Sequence, residues 1–198
     1  MAQNSLKILI AGDSFAAKWA NTDTGWPSLL GQCFNVTNIA QAGVGEYKIL
    51  KQIKNSDLNK FDLLIVSHTS PFRIHTPEHP IKRDGLHKNC DLIYTDLEAN
   101  NDPSNKSLTT ALNWFKYHYD EEYQCDMYNL VRQEINRIAN IPYLCLDHNP
   151  ITSNHAFEKN RIDFSDVWTK HRGVINHYNN NGNTLVFQTI RDKIEKLL

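Results

Sequence analysis

The tripeptide Gly12-Asp13-Ser14 closes the apolar run Leu6-Lys7-Ile8-Leu9-Ile10-Ala11. A short apolar run of this kind reads as a buried β-strand, and glycine gives it a tight exit. Ser14 then heads Phe15-Ala16-Ala17-Lys18-Trp19-Ala20, a segment that can be helical. At such a turn, backbone N–H groups and the helix dipole favour negative charge. A serine there has two readings. As a nucleophile attacking a carbonyl, it would build an oxyanion beside ready donors. As a plain N-cap, it would accept a hydrogen bond from the first helical turn and do no chemistry. A third reading takes the Gly12–Ala17 turn as a phosphate cradle, which would make the chain a flavodoxin-like binder.

Two further segments bear on the choice. Asn38-Ile39-Ala40-Gln41-Ala42-Gly43 follows a second strand-like run, and His177-Tyr178-Asn179-Asn180-Asn181-Gly182-Asn183 leads into a C-terminal helical pattern. Serine after the first strand, glycine after the second and histidine before the last helix together resemble the SGNH (GDSL-type) hydrolase family. Gly12-Asp13-Ser14 matches its first block and Asn38 to Gly43 its glycine block. His177, Asn179 and Gly182 match part of its terminal block. The resemblance covers both ends of the chain and leaves the middle poorly matched.

The resemblance implies an ester hydrolase, of esterase or carbohydrate O-deacetylase type, in which Ser14 is the nucleophile and His177 its base. The backbone N–H groups of Ser14 and Gly43 would face the oxyanion. Asp13 would organise the turn, and Arg73 could hold a carboxylate or phosphate on a substrate. Two positions depart from the family pattern. Thr69, in Ser67-His68-Thr69-Ser70, falls where the family has an oxyanion-binding Asn, so Thr69 or His68 would substitute for it. Val174 falls where the family has the acid that orients the base, leaving Asp166, or else Asp163, to enter from upstream; a backbone carbonyl could also serve. These departures also motivate a second reading, an SGNH-fold binding or structural module with weak or no turnover.

The elements that would position these residues alternate in type. Strands are expected at about Leu6 to Ala11, Asn35 to Ile39, Phe61 to Ser67 and Pro142 to Asp147. A helical face at Ile49, Leu50 and Ile53 lies between the second and third. A long helical stretch runs from about Leu108 to Asn140, and a last helix from about Asn183 to Leu198. Alternating strands and helices predict a three-layer α/β fold, a flavodoxin-like parallel sheet flanked by helices. Ligands bind such sheets beyond the carboxyl ends of their strands, where Ser14, Gly43 and the Ser67–Ser70 loop fall. The segment from Pro71 to about Lys106, rich in Pro, His, Asn, Asp and Lys, reads as an irregular excursion that could act as a lid or binding loop.

The chain has 198 residues, 40% of them hydrophobic, and a formal net charge of −1. It is long enough to bury one core, so residues 1–198 read as a single domain. The neutral total gives no reason to expect a nucleic-acid partner. The N-terminus lacks the basic and apolar regions of a signal peptide, and no stretch is long enough for a membrane span. Cys33, Cys90, Cys125 and Cys145 show no close pairing, which points to reduced thiols and a cytoplasmic protein. His68, His75, His79 and His87 with Cys90 and Asp91 lack the paired spacing of structural zinc. Neither a metal nor a cofactor is expected, and the partner is a small-molecule or carbohydrate ester.

Overall fold

Five segments pair into one all-parallel sheet in the computed structural model, which describes residues 6–18, 25–153, 158, 160–174 and 177–197. They are β1 (Lys7–Gly12), β2 (Asn35–Asn38), β3 (Leu63–Ser67), β4 (Tyr143–Asp147) and β5 (Arg161–Asp163), in the order β2-β1-β3-β4-β5. This is the doubly wound flavodoxin-like order, with its switch point between β1 and β3. The central strands β1 and β3 are buried along both faces, which explains their nearly unbroken apolar sequence.

Side chains alternate across each strand, so the sheet feeds two cores. Ile8, Ile10, Leu63, Ile65, Leu144 and Leu146 face α1 (Trp26–Gly31) and α8 (Asn180–Leu197), meeting Trp26, Leu30, Val186, Ile190 and Ile194. Leu9, Ala11, Leu64 and Val66 face α2 (Glu46–Lys54) and α5 (Glu121–Ile138), meeting Ile49, Leu50, Ile53 and Ile135. Each such aliphatic side chain stabilises the fold by roughly 1.5–3 kcal/mol on full burial. Three layers result, as the alternation of elements predicts.

The expected helical stretch from Leu108 to Asn140 is two helices, α4 (Lys106–His118) and α5. Tyr119 is extended between them, and the Asp120 side chain accepts from Tyr123 N (3.0 Å), capping α5. An Asp followed by Glu121 and Glu122 is a helix start, and the cap outcompetes continuation. Phe15 to Ala17 form a turn rather than a helix, closed by Ala16 N and Ala17 N on Asp13 O; Trp19 and Ala20 lie outside the described residues. The excursion after β3 carries α3 (Tyr94–Ala99) and an antiparallel bridge between Ile74 and Leu92. It is fastened to the fold by Asp91, whose buried carboxylate accepts from Gly45 N (2.6 Å), Thr76 N (2.9 Å) and Lys48 Nζ (2.9 Å). Two short helices, α6 (Pro150–Ser153) and α7 (Ser165–Lys170), flank β5.

Candidate active site

Ser14 sits where β1 leaves the sheet. Gly12 is required there: a Cβ on it would fall 2.5 Å from the Ser67 Cβ, so only a bare backbone lets β1 and β3 run this close. The next residue, Asp13, is buried and holds the turn together. Its Oδ1 accepts from Phe15 N (3.0 Å), its Oδ2 accepts from Thr69 Oγ1 (2.9 Å), and Arg73 Nη2 lies 3.4 Å from Oδ2. Burial pushes the Asp13 carboxyl above its ordinary range, against the Arg73 guanidinium, which pulls it down. Arg73 Nη1 also donates to Val44 O (2.7 Å), so this guanidinium is already engaged on two sides.

His177 reaches the same place from the other end of the chain. Arg172 and Tyr178 form an antiparallel bridge, and inside that turn Gly173 N donates to His177 O (2.5 Å) and His177 N to Val174 O (3.3 Å). Downstream, Asn179 Oδ1 accepts from Gly182 N (2.9 Å), capping α8, and Asn183 Oδ1 accepts from Trp26 N (3.1 Å). The Asn and Gly residues of this segment therefore set the helix start that fixes the histidine.

Ser14 and His177 line one cleft of about 830 Å³ at the carboxyl ends of the strands, within the range of small-ligand sites. Asp13, Arg73, Ser70 and Asn149 add polar groups, and Phe72, Tyr94, Phe115, Tyr119 and Trp168 an aromatic wall. The excursion thus contributes to the cleft through Phe72, Arg73 and Tyr94. Arg172 lies over the Trp168 ring, 3.8 Å from its centroid. The Tyr119 hydroxyl is buried with no partner, and burial, then Glu121, pushes its pKa up to about 12.

The remaining expected site residues are not among those lining this cleft. Thr69 is buried, with its hydroxyl given to Asp13 and its N–H to Glu46 Oε2 (3.3 Å). His68, one residue earlier, points to the opposite face of the sheet, where Nδ1 meets Glu46 Oε1 at 2.6 Å; strand alternation separates neighbours in this way. Gly43 has φ +76, and a Cβ on it would fall 2.6 Å from the Cys90 Cβ, so the excursion packs on it. Asp166 has a 93% exposed side chain whose amine partner is Lys170, at 3.9 Å. Asp163 Oδ1 accepts from Ser165 N (2.8 Å) and Ser165 Oγ (2.5 Å). Asn176 lies outside the described residues. All four cysteines are free.

One feature of the site region went unread in the sequence. His148, directly after β4, is fully buried, with Nε2 2.9 Å from Ser67 Oγ and Nδ1 2.9 Å from Tyr178 OH. Burial pulls its pKa down to about 3. Its ring stacks on Phe15, which also neighbours His177 at 5.2 Å and Tyr178 at 5.4 Å. An Asp-His pair ending an apolar run carries no periodic signal that would mark it.

Among the described residues, no helix is long and apolar enough to cross a membrane. No family model matches the chain, and no curated protein matches it in sequence. Among solved structures, the chain is similar in fold to a catalytic mutant of an acetylxylan esterase from Geobacillus stearothermophilus. The match has 11% identity and a TM-score of 0.47, covering 98% of this chain and 96% of that one.

Proposed function

We propose that the protein is a serine hydrolase that cleaves a small acyl ester, with Ser14 as nucleophile and His177 as base. The single observation that carries this reading is that Ser14 and His177, from opposite ends of the chain, line one cleft at the carboxyl ends of a parallel sheet. His177 takes the Ser14 proton as Oγ attacks the ester carbonyl. The tetrahedral intermediate collapses, the alkoxide leaves with that proton, and water deprotonated by His177 releases the acid from the acyl-enzyme. Main-chain bonds of Gly173 N to His177 O and of His177 N to Val174 O hold the backbone from which the His177 ring projects. Asn149 serves as an oxyanion-side donor instead of Thr69: its Oδ1 is taken by Ile151 N (3.0 Å) and Thr152 N (3.2 Å), leaving its amide for the cleft. The aromatic wall and the Tyr119 hydroxyl suit an acyl group carried on a carbohydrate, whose ring can stack while its hydroxyls bond.

The placement of Thr69, Gly43 and Asp166 outside the cleft lining favours one alternative, a binding module with little or no turnover. A fluorophosphonate probe separates the two. Labelling of the wild type that vanishes in Ser14→Ala, with turnover of p-nitrophenyl acetate, is the expected result. A wild type that neither labels nor hydrolyses short esters leaves the binding module.

A further inference from the structure

On the face of the sheet away from Ser67 and His148, the carboxyl ends of β3 and β4 hold a second polar cluster. His68, Cys145 and Glu158 are each buried, and their ligand-capable atoms lie within 4.8 Å of one another. They come from after β3, from mid-β4 and from just before β5, so no sequence spacing announces them. None of the three lines the Ser14 cleft.

Two of the three present a bare atom. His68 Nε2 and Glu158 Oε2 are buried with no hydrogen-bond partner among the described residues, a state that costs roughly 1–3 kcal/mol per group if nothing fills it. Their other atoms are firmly held. His68 Nδ1 bonds Glu46 Oε1 (2.6 Å), and Arg132 Nε donates to Glu158 Oε1 (2.8 Å). A carboxylate on one imidazole nitrogen while the other faces an open donor set is the outer-shell arrangement of a metal-bound histidine.

Charge accounting points the same way. Among the buried groups, Glu46, Asp147 and Glu158 set three carboxylates against the Arg132 and Arg161 guanidiniums; Arg161 also reaches Asp163 (3.3 Å), whose carboxylate is open to solvent. The cluster is one negative charge in excess. A divalent cation that binds with loss of the Cys145 thiol proton to solvent adds two positive charges and one negative, and brings it to neutrality. Uncompensated buried charge is strongly disfavoured, so such a cation relieves a cost.

We propose that His68 Nε2, Cys145 Sγ and Glu158 Oε2 bind one divalent transition-metal ion of the zinc class. The nitrogen, sulfur and oxygen set suits zinc and not the all-oxygen preference of calcium or magnesium. Zinc–ligand bond lengths would set the three atoms roughly 3.4–3.6 Å apart. The ion is structural: it ties the segment before β5 to the ends of β3 and β4.

The test is the metal content of the full chain, purified and also refolded with zinc, so that a sealed site can load during folding. One zinc per chain is expected. Cobalt refolded in its place should give a thiolate-to-metal charge-transfer band that Cys145→Ser abolishes. Glu46→Gln, which changes the imidazole's partner (and the acceptor of Thr69 N) while leaving the three ligands in place, should weaken binding by about 10- to 100-fold, and Ser14→Ala should keep the full metal content. Wild-type protein that stays substoichiometric in metal after zinc refolding, or a cobalt spectrum without the thiolate band, overturns the proposal. Because wild-type content and spectrum decide the matter, a variant that fails to fold does not.

Discussion

Two histidines flank Phe15 in unlike surroundings. The His148 ring lies parallel to the phenylalanine, 1° off and 4.6 Å away, and has no exposed surface. Both its nitrogens lie 2.9 Å from buried hydroxyls, those of Ser67 and Tyr178. The His177 ring lies 5.2 Å from the same phenylalanine, tilted by 52°, in the wall of the Ser14 cleft. Surroundings therefore divide the two roles. A ring stripped of water, with each nitrogen committed, is fixed in one neutral tautomer and works as a strut. A ring in the wall of a cleft that Ser14 also lines is the one that the proposed mechanism uses to move a proton.

Breaking the comparison from the His177 side should give the largest effect. His177→Ala should lower kcat/KM for a short ester by about 10^4- to 10^6-fold, the usual loss when one member of a nucleophile–base pair is removed. Its Tm should stay close to wild type, because the turn is held by main-chain bonds. Activity kept within tenfold would mean that another group is the base. His148→Ala should do the reverse. It strands the Tyr178 hydroxyl, at about 1–3 kcal/mol, leaves Ser67 Oγ with its long bond to Asp13 Oδ1 (3.4 Å), and opens a cavity beside Phe15. A total of about 3–5 kcal/mol lowers Tm by roughly 6–20 °C in a chain of this size. Wild-type thermal stability in that variant would show that the three-residue network contributes nothing.

The pH response sharpens the contrast. Burial holds folded His148 near a pKa of about 3, while the unfolded chain protonates it near its ordinary value of about 6.5. Between those values the unfolded state binds the extra proton. The His148 contribution is thus complete above about pH 6.5 and is lost as pH falls toward 3, by at most about 1.4 kcal/mol per pH unit. Asp13 acts with the opposite sign. Burial raises its folded pKa, so the stability it adds is present at low pH and lost as pH rises through that value. Chemical denaturation of wild type against His148→Gln, across pH 4 to 7, subtracts the shared Asp13 term. Parallel curves would remove the buried-neutral account of His148.

The same contrast marks what could be read from the sequence. Strands β1, β3 and β4 were legible because each is an apolar run covered on both sides, and the Ser14 and His177 segments because each combines a turn with a helix or strand boundary. Strand β5 was not: three residues, Arg161-Ile162-Asp163, at a sheet edge and with charged ends, leave no pattern. The α4–α5 break was signalled by Asp120-Glu121-Glu122, an N-cap overlooked inside a continuous periodic stretch. His148, Ser67 and Tyr178 were invisible for a different reason. Each bond in that network spans at least 30 residues, and buried polar pairs made by strand ends exist only once the sheet has formed. Asp166 illustrates the converse, since proximity in sequence said nothing about which way an exposed helix would turn its side chain, here into solvent near Lys170.

The smallest expected effect concerns that residue, and it tests whether a histidine in a cleft wall needs a charged partner at all. The Asp166 side chain is 93% exposed and paired only loosely with Lys170, so Asp166→Asn should leave Tm unmeasurably changed and kcat/KM within about twofold of wild type. Where a carboxylate does orient a catalytic imidazole, the same Asp→Asn exchange costs about 10^4-fold by stabilising the wrong tautomer. The two outcomes are far enough apart for one rate measurement to separate them. A large loss would require the Ser165–Lys170 helix to swing its acid onto His177 when substrate binds. An unchanged rate would show that the Ser165–Lys170 helix does not supply the group that orients the His177 ring.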